Sequence, residues 1–443
     1  MDRLANLADR PGGGDRGVKP VAVVGGGWAG LAAAVELTAR GILVTVLEAA
    51  RQLGGRARAV HWDGIAVDNG QHLFIGAYRE TQRLMARVGS LQRLERRRLE
   101  LSLPSFGLNL PRLPAPLHLA LGLLTATGLT LAEKRAAAGF MRSLARQNYR
   151  LAGDMTVAKL LGHHGQPPRL RDRLWAPICV AALNTPLEQA SAQVFCNVLR
   201  DSLGSSRAAS DLLFGRGDLD ALFPAPAAAY IQRHGGEVRL SCRVEAVLRR
   251  EDGFYLRGPD VEAKRVILAV HPASLHRLIA DLPEMAEVAA QLHGYTWQPI
   301  LTTWLRFAQP VRLPFPMLAL GEGQSPWVFD RGDLAPGLLA VVVSAQGPHL
   351  DLPGQALRDE FLRQLRARLG KLPALTSWKT IVERRATYSC VPDLPRPEPV
   401  TPLPGLYLAG DYTRGDYPAT LEAAVASGVE CARLILASER SFS

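Results

Sequence analysis

Cysteine is scarce, with five residues (Cys179, Cys196, Cys242, Cys390 and Cys431) in a chain of 443. Their number is odd, their spacing wide, and no pair has CxxC or metal-ligand spacing. Neither a disulfide framework nor a zinc site is therefore expected, which fits a reducing compartment such as the cytoplasm. Long hydrophobic runs are lacking too. No stretch reaches the roughly 18 uncharged apolar residues of a membrane-spanning helix. The nearest is Leu117 to Ala132, sixteen residues, expected either as a buried helix or as one dipping into a single leaflet. The first nineteen residues have no apolar core of a secretory signal and read as a disordered leader. Nor is there a zinc-ligand pattern, an RNP-type aromatic strand or a Lys/Arg-rich tail, so nucleic acid is not an expected partner. The formal charge of +11 is then assigned either to a face that meets anionic lipid or to an evenly solvated surface.

What is present is the composition of a folded protein, 47% hydrophobic and 21% charged. Its length calls for two domains. Val21 to Val24 is an apolar run suited to a strand buried on both faces. Residues 28 to 40 carry Ala and Leu at helical spacing, and Leu43 to Leu47 is the next buried strand. Alternation from Arg56 to Val67 predicts a hairpin turning at Asp63-Gly64. Residues 78 to 100 read as a basic helix, and a second basic helix carries Lys134, Arg135, Arg142, Arg146 and Arg150. Further on, residues 235 to 252 alternate like antiparallel strands, Arg265 to Val270 is a buried strand, and 300 to 345 hold strands of a second sheet. Gln355 to Gly370 predicts an amphipathic helix, and Pro392 to Pro404 a linker to a strand at Leu406 to Ala409 and a last helix from Thr420.

The first β-α-β unit carries GxGxxG as Gly25, Gly27 and Gly30, between strand and helix, the context that gives this pattern meaning. Gly25 suits the tight turn, Gly27 lets backbone approach a pyrophosphate, and Gly30 allows close helix–strand contact. Trp28 and Ala29 open the helix, whose N–H groups and positive dipole end face the phosphates. Glu48, followed by Ala49, ends the second strand. Its carboxylate accepts from both ribose hydroxyls and repels a 2′-phosphate, favouring FAD or NAD over NADP. A second glycine pair with a cation, Gly54-Gly55-Arg56, points to FAD, because simple nicotinamide dehydrogenases do not usually carry it. Gly70, Gln71 and His72 follow at a strand end where backbone can approach the isoalloxazine. Near the C-terminus, Gly410 and Asp411 follow a buried strand and suit the ribityl or pyrophosphate. Thr420 and Leu421 start a helix aimed at the flavin N1/O2 edge, where its dipole favours the reduced anion.

With these motifs at both ends and Arg243-Val244 between them, the sequence resembles the flavin amine oxidase and phytoene desaturase superfamily. Three segments (68–81, 174–195 and 408–428) look like the bacterial hydroxysqualene dehydroxylases. The likeness runs from residue 20 onward. It implies an α/β fold: a Rossmann-type, glutathione-reductase-like FAD domain (20–110, 215–290 and 400–443) interleaved with an α+β substrate and membrane-facing domain (110–215 and 290–400). It also implies Val244 near the adenine, FAD as cofactor and an isoprenoid lipid, hydroxysqualene, as substrate. The reaction would remove an allylic hydroxyl reductively, an acid protonating the leaving oxygen. His72 is the first candidate acid, with Tyr417 as a hydroxyl donor or pocket wall and Asn184 orienting the substrate oxygen or capping a turn. Trp297, Trp304 and Trp327 are candidate walls. No second GxGxxG is present, so the reductant is taken as external. The alternatives are a carotenoid-type desaturase running the redox step in reverse and a non-catalytic isoprenoid-lipid chaperone. The expected location is cytoplasmic, peripherally bound to the inner face of the membrane.

Overall fold

The computed structural model describes residues 20–322 and 325–440; the leader expectation lies outside them. Strand β1 (Val21–Val24), helix α1 (Trp28–Thr38) and strand β2 (Val44–Leu47) form the β-α-β unit. Around β1 a five-stranded parallel sheet assembles from four distant parts of the chain. Its order is Glu237–Arg239, β2, β1, Val266–Leu268, Leu406–Leu408. Parallel strands covered on both faces read as unbroken apolar runs, and β1 and β2 are buried at every position. Every residue of α1 is buried, because the C-terminal helix Leu421–Arg440 and the helix Pro224–Arg233 pack on it. At the closest approach a Cβ added to Gly428 would lie 2.1 Å from the Ala29 carbonyl oxygen.

A three-stranded antiparallel sheet (Ala246–Arg250, Gly253–Arg257, Val261–Ala263) is inserted before the fourth parallel strand. The second large sheet is antiparallel, in the order Met317–Ala319, Trp327–Asp330, Leu338–Ser344, Trp297–Phe307, Leu375–Tyr388. The helix Gly354–Leu369 covers it. Among the described residues no helix is long and apolar enough to cross a membrane.

Several local expectations need correction. Residues 78 to 100 are not one helix. The helix Arg79–Val88 stops at Gly89, whose φ of 80° is left-handed, and Leu94–Arg97 is a strand paired with Leu212–Gly215. That pairing sets Arg96 against Asp211 at 3.3 Å, a long-range partner invisible to helical periodicity. The apolar run from Leu117 is likewise broken: Leu117–Thr125 is a short helix, and a new one, Leu131–Arg146, starts at a capping box of Thr130 and Glu133. The segment Glu237–Arg239, read as antiparallel, is instead the parallel edge strand beside β2. The hairpin turn does fall at Asp63-Gly64, both at positive φ.

Replacing Gly428 with Val should cost roughly 2 kcal/mol by overpacking the α1 crossing. A lowered thermal midpoint is the expected result; an unchanged one would contradict this close approach.

Candidate active site

One cavity of about 620 Å³ begins at the C-terminal ends of the parallel strands and continues between the two large sheets. Ligands of open α/β sheets lie at such strand ends. The tight turn at Gly25 (φ 113°) would place a Cβ 2.3 Å from the Ala269 oxygen, so only glycine fits there. Gly27 is the N-cap of α1, and no side chain caps the helix. Across a narrow gap, a Cβ on Gly55 would come within 3.3 Å of the Gly27 Cα. The Gly54 N–H donates to the Gly26 oxygen at 2.9 Å and holds the two glycine segments side by side. The result is a backbone-walled slot at a helix N-terminus, a fitting cradle for a diphosphate.

Glu48 accepts from the Gly26 and Ala50 N–H groups, one on each oxygen, at 2.6 and 2.7 Å. Each carboxylate oxygen keeps acceptor capacity for a ribose hydroxyl. Val244 is buried and lines the same end of the cavity, in the connection before the antiparallel sheet rather than within a strand. Next along the cavity, Arg56 donates to Asp411 Oδ1 at 2.5 Å and to the Ala386 oxygen at 2.9 Å. This joins the second glycine segment to a residue 355 positions later in the chain. The Gly410 N–H is held by Ser427 Oγ of the C-terminal helix, and Thr420 caps that helix by accepting from the Ala423 N–H.

Of the expected cofactor residues, Gly25, Gly27, Trp28, Ala29, Glu48, Ala49, Gly55, Arg56, Gly70, Gln71, His72, Val244, Gly410, Asp411, Thr420 and Leu421 all line this cavity. Gly30 does not. A Cβ there would meet the Gly25 oxygen at 2.0 Å, so its part is in the strand–helix contact.

Away from the glycine slot the wall is mostly apolar, with Pro177, Ile178, Val180, Leu203, Leu212, Ile300, Met317, Trp327, Phe329 and Val342, but Ser344 and Glu383, both paired with Ile300, line it as well. His72 lines the same cavity. Its Nδ1 bonds the Gly70 carbonyl at 2.7 Å, and since a carbonyl only accepts, Nδ1 carries the proton. Burial, with Arg331 nearby, lowers the imidazole pKa to about 4. Neutral His72 therefore presents Nε2 as a bare acceptor, which corrects its reading as a resting acid. Tyr417 is corrected as well: it is not a cavity wall, and its hydroxyl bonds Asp201. Asn184 lines the cavity, but its amide is already used. Nδ2 donates to the Pro299 oxygen and Thr387 Oγ1, and Oδ1 accepts from the Ala345 N–H. With φ at 47° it ends the helix Ala176–Leu183 and ties it to the second sheet. Of the three tryptophans only Trp327 lines the cavity; Trp304 is fully buried and donates to the Asp68 oxygen.

Two residues that sequence reasoning passed over stand out. Arg331, which directly follows the strand Trp327–Asp330 of the second sheet, reaches Asp68 Oδ2 at 3.2 Å, Gln71 Oε1 at 2.6 Å and the Gly217 oxygen at 2.8 Å. It clamps the segment that carries His72. Burial pushes the Asp68 carboxyl up, against the pull of Arg331. His271, following the strand Val266–Leu268, accepts the Ala273 N–H on Nδ1 and so carries its proton on Nε2. That Nε2 is a buried donor without a partner among the described residues, in the cavity wall beside Arg56 and Asp411. Buried donors demand acceptors, and a cofactor phosphate or ribityl oxygen would supply one. No motif marks either residue; the apolar strand before His271 was the one available hint.

The family model described as flavin containing amine oxidoreductase matches residues 28–436. The chain belongs to that family. Its cofactor is FAD and it is an oxidoreductase. It is similar to proteins named hydroxysqualene dehydroxylase from Rhodopseudomonas palustris (31% identical, 96% of this chain and 100% of the relative) and Sinorhizobium fredii (29%, 94% and 98%). A 15-cis-phytoene desaturase from an Oncidium hybrid is 27% identical over 94% of this chain and 78% of its own length. Among solved structures, putrescine oxidase superposes with a TM-score of 0.69 at 18% identity (95% and 99% covered). Cyclohexylamine oxidase from Brevibacterium oxydans gives 0.67 at 18% (96% and 100%). The flavin family and the dinucleotide slot agree, so the slot is where FAD fits.

Because a Cβ on Gly27 would meet nothing nearer than the Gly55 Cα at 3.9 Å, Gly27→Val should leave the apoprotein's unfolding midpoint nearly unchanged. The purified protein should nonetheless be colourless, having lost the flavin. A yellow Gly27→Val protein of normal flavin content would contradict the slot.

Proposed function

We propose that this chain removes the allylic hydroxyl of hydroxysqualene to give squalene, and that Gly27, Gly55, Arg56, Glu48, Val244, Asp411 and Thr420 hold the FAD it uses. The observation that carries the reading is one continuous cavity that joins the dinucleotide slot to a mostly apolar wall contributed by the second sheet. A wall made mostly of branched and aromatic side chains suits a long polyene and limits the water that reaches a developing allylic cation. The name carried by the relatives from Rhodopseudomonas and Sinorhizobium supports the same substrate.

Reduced FAD, when bound, supplies the two hydrogens of the balance: hydride replaces the hydroxyl on carbon, and a proton leaves with the oxygen as water. The protein's own part is orientation. The bare Nε2 of His72 accepts the substrate hydroxyl's hydrogen bond and so fixes the carbon that bears it. Gln71 and Asp68, held by Arg331, keep that segment in place. Trp327, Met317 and Phe329 close the chamber from the second sheet. With this reading goes a peripheral position at the inner face of the membrane, where the lipid substrate is dissolved, and an external electron donor. One feature favours the reverse chemistry as a second reading: an unprotonated His72 also suits the proton acceptor of a polyene desaturase.

Anaerobic mixing of reduced holoenzyme with hydroxysqualene separates the two. Squalene formed in step with the return of oxidised-flavin absorbance is the expected result. No squalene, with phytoene desaturated by the oxidised enzyme instead, would overturn the proposal. His72→Leu should raise KM for hydroxysqualene roughly tenfold, the worth of about one hydrogen bond, with flavin content unchanged. The pH dependence follows from the same group. Because the His72 pKa is lowered to about 4, the ring is neutral through the neutral range and its acceptor role fails only as pH falls through about 4. An inflection near the ordinary histidine value that disappears in His72→Leu would contradict this.

A further inference from the structure

Four exposed leucines fall within fifteen residues of one another: Leu117 (56% exposed), Leu121 (37%), Leu124 (60%) and Leu131 (54%). The first three share one face of the helix Leu117–Thr125 at i, i+4 and i+7. The opposite face, with His118, Gly122 and Leu123, packs inward, Gly122 against the side chains of Leu108 and Leu110. The helix is thus apolar on both sides, unlike an ordinary surface helix, whose outer face is polar. Lys134 Nζ donates to the Leu124 oxygen at 2.7 Å, which brings the start of the next helix, and Leu131, beside the leucine face. Charge here is one-sided. Residues 110–153 hold six Lys or Arg (Arg112, Lys134, Arg135, Arg142, Arg146, Arg150) against one acid, Glu133. That glutamate is buried in its capping box. Arg135 and Arg142 are exposed on the same side of their helix as Leu131.

The inner side of this helix packs on elements that line the cavity. Its helix packs on the strand Phe106–Asn109, whose hairpin partner Glu100–Leu103 contributes Leu101 to the cavity wall. His118 on its inner side lies near Arg207 and Asp211, and these flank Ser210 and Leu212, which also line the cavity.

We infer that Leu117, Leu121, Leu124 and Leu131, together with Arg135 and Arg142, dock this chain onto an anionic lipid bilayer. Leucines on such a face enter the headgroup–acyl boundary, and the cations bind the anionic headgroups. A protein partner with an apolar patch would match the leucines, but the absence of exposed acids across residues 110–153 specifically matches a surface of uniform negative charge. The inference rests on the proposed function only for what travels from the bilayer into the cavity; the docking stands on this face alone.

The test is flotation of FAD-loaded protein with vesicles of phosphatidylcholine, with or without about one-third phosphatidylglycerol. Wild type should float with the anionic vesicles and far less with the neutral ones. Leu121→Glu/Leu124→Glu and, separately, Arg135→Glu/Arg142→Glu should each weaken that binding roughly tenfold or more. Both should keep wild-type flavin absorbance and wild-type turnover of substrate presented in detergent. Wild type remaining in solution with both vesicle types would overturn the inference, as would variants that float normally. So would light scattering that shows wild-type self-association abolished by the leucine changes, since the face would then join two copies of this chain. A protein that floats as expected but makes no squalene would leave the docking standing and defeat the substrate assignment, so the two failures are distinguishable.

Discussion

The meeting of Arg56 with Asp411 is the constraint on which the rest of the site depends. Its two partners lie 355 residues apart, at the second glycine segment and at the turn after the last parallel strand. As an ion pair it is not a large source of stability, because the Arg56 side chain is 30% exposed and solvent screens it. Its weight is geometric. It fixes the distance between the second glycine segment and the turn after the last parallel strand, the two backbone segments that the proposed FAD site brings to one diphosphate. Around it the chain removes side chains wherever backbones come close. Gly25, Gly30 and Gly428 would each set a Cβ within 2.3 Å of a carbonyl oxygen, so α1 is held between strand and C-terminal helix without slack.

From that point outward the cavity wall changes character. At one end the functional groups are backbone N–H donors, a carboxylate and a guanidinium, the chemistry of a dinucleotide. Elsewhere the wall is mostly Leu, Ile, Val, Met, Trp and Phe, with Ser344 and Glu383 among them. Arg331 spans the boundary. It directly follows the strand Trp327–Asp330 of the second sheet yet bonds the Asp68–Gln71 segment of the first unit, so a shift between the two sheets would move His72 directly. A buried guanidinium is costly unless its donors are satisfied, and here Asp68, Asp333, Gln71 and the Gly217 carbonyl satisfy it.

Much of this was legible in the sequence, for identifiable reasons. Strands buried on both faces leave apolar runs, and close backbone approaches leave glycines, so β1, α1, β2, Glu48 and Gly410-Asp411 could be read directly. What could not be read depended on partners far away in the chain. Leu94–Arg97 looks helical until Leu212–Gly215 lies alongside it, and Glu237–Arg239 is parallel because β2 offers an open edge. His72 lines the cavity, but its protonation is set by the Gly70 carbonyl and by burial, neither of which has a sequence signal. Tyr417 sits close to Asp411 in sequence, yet its chain turns outward to Asp201, and the amide of Asn184 is consumed by three long-range bonds. Arg331 and His271 lie outside any motif and emerge only from packing.

A double-mutant cycle on FAD affinity, using Arg56→Ala, Asp411→Asn and the pair, tests most directly whether the two ends of the chain act as one cofactor clamp. The account predicts strong non-additivity, the double variant binding FAD about as weakly as the weaker single one. Strictly additive losses would mean that Arg56 and Asp411 contact FAD independently, and the clamp described here would be contradicted.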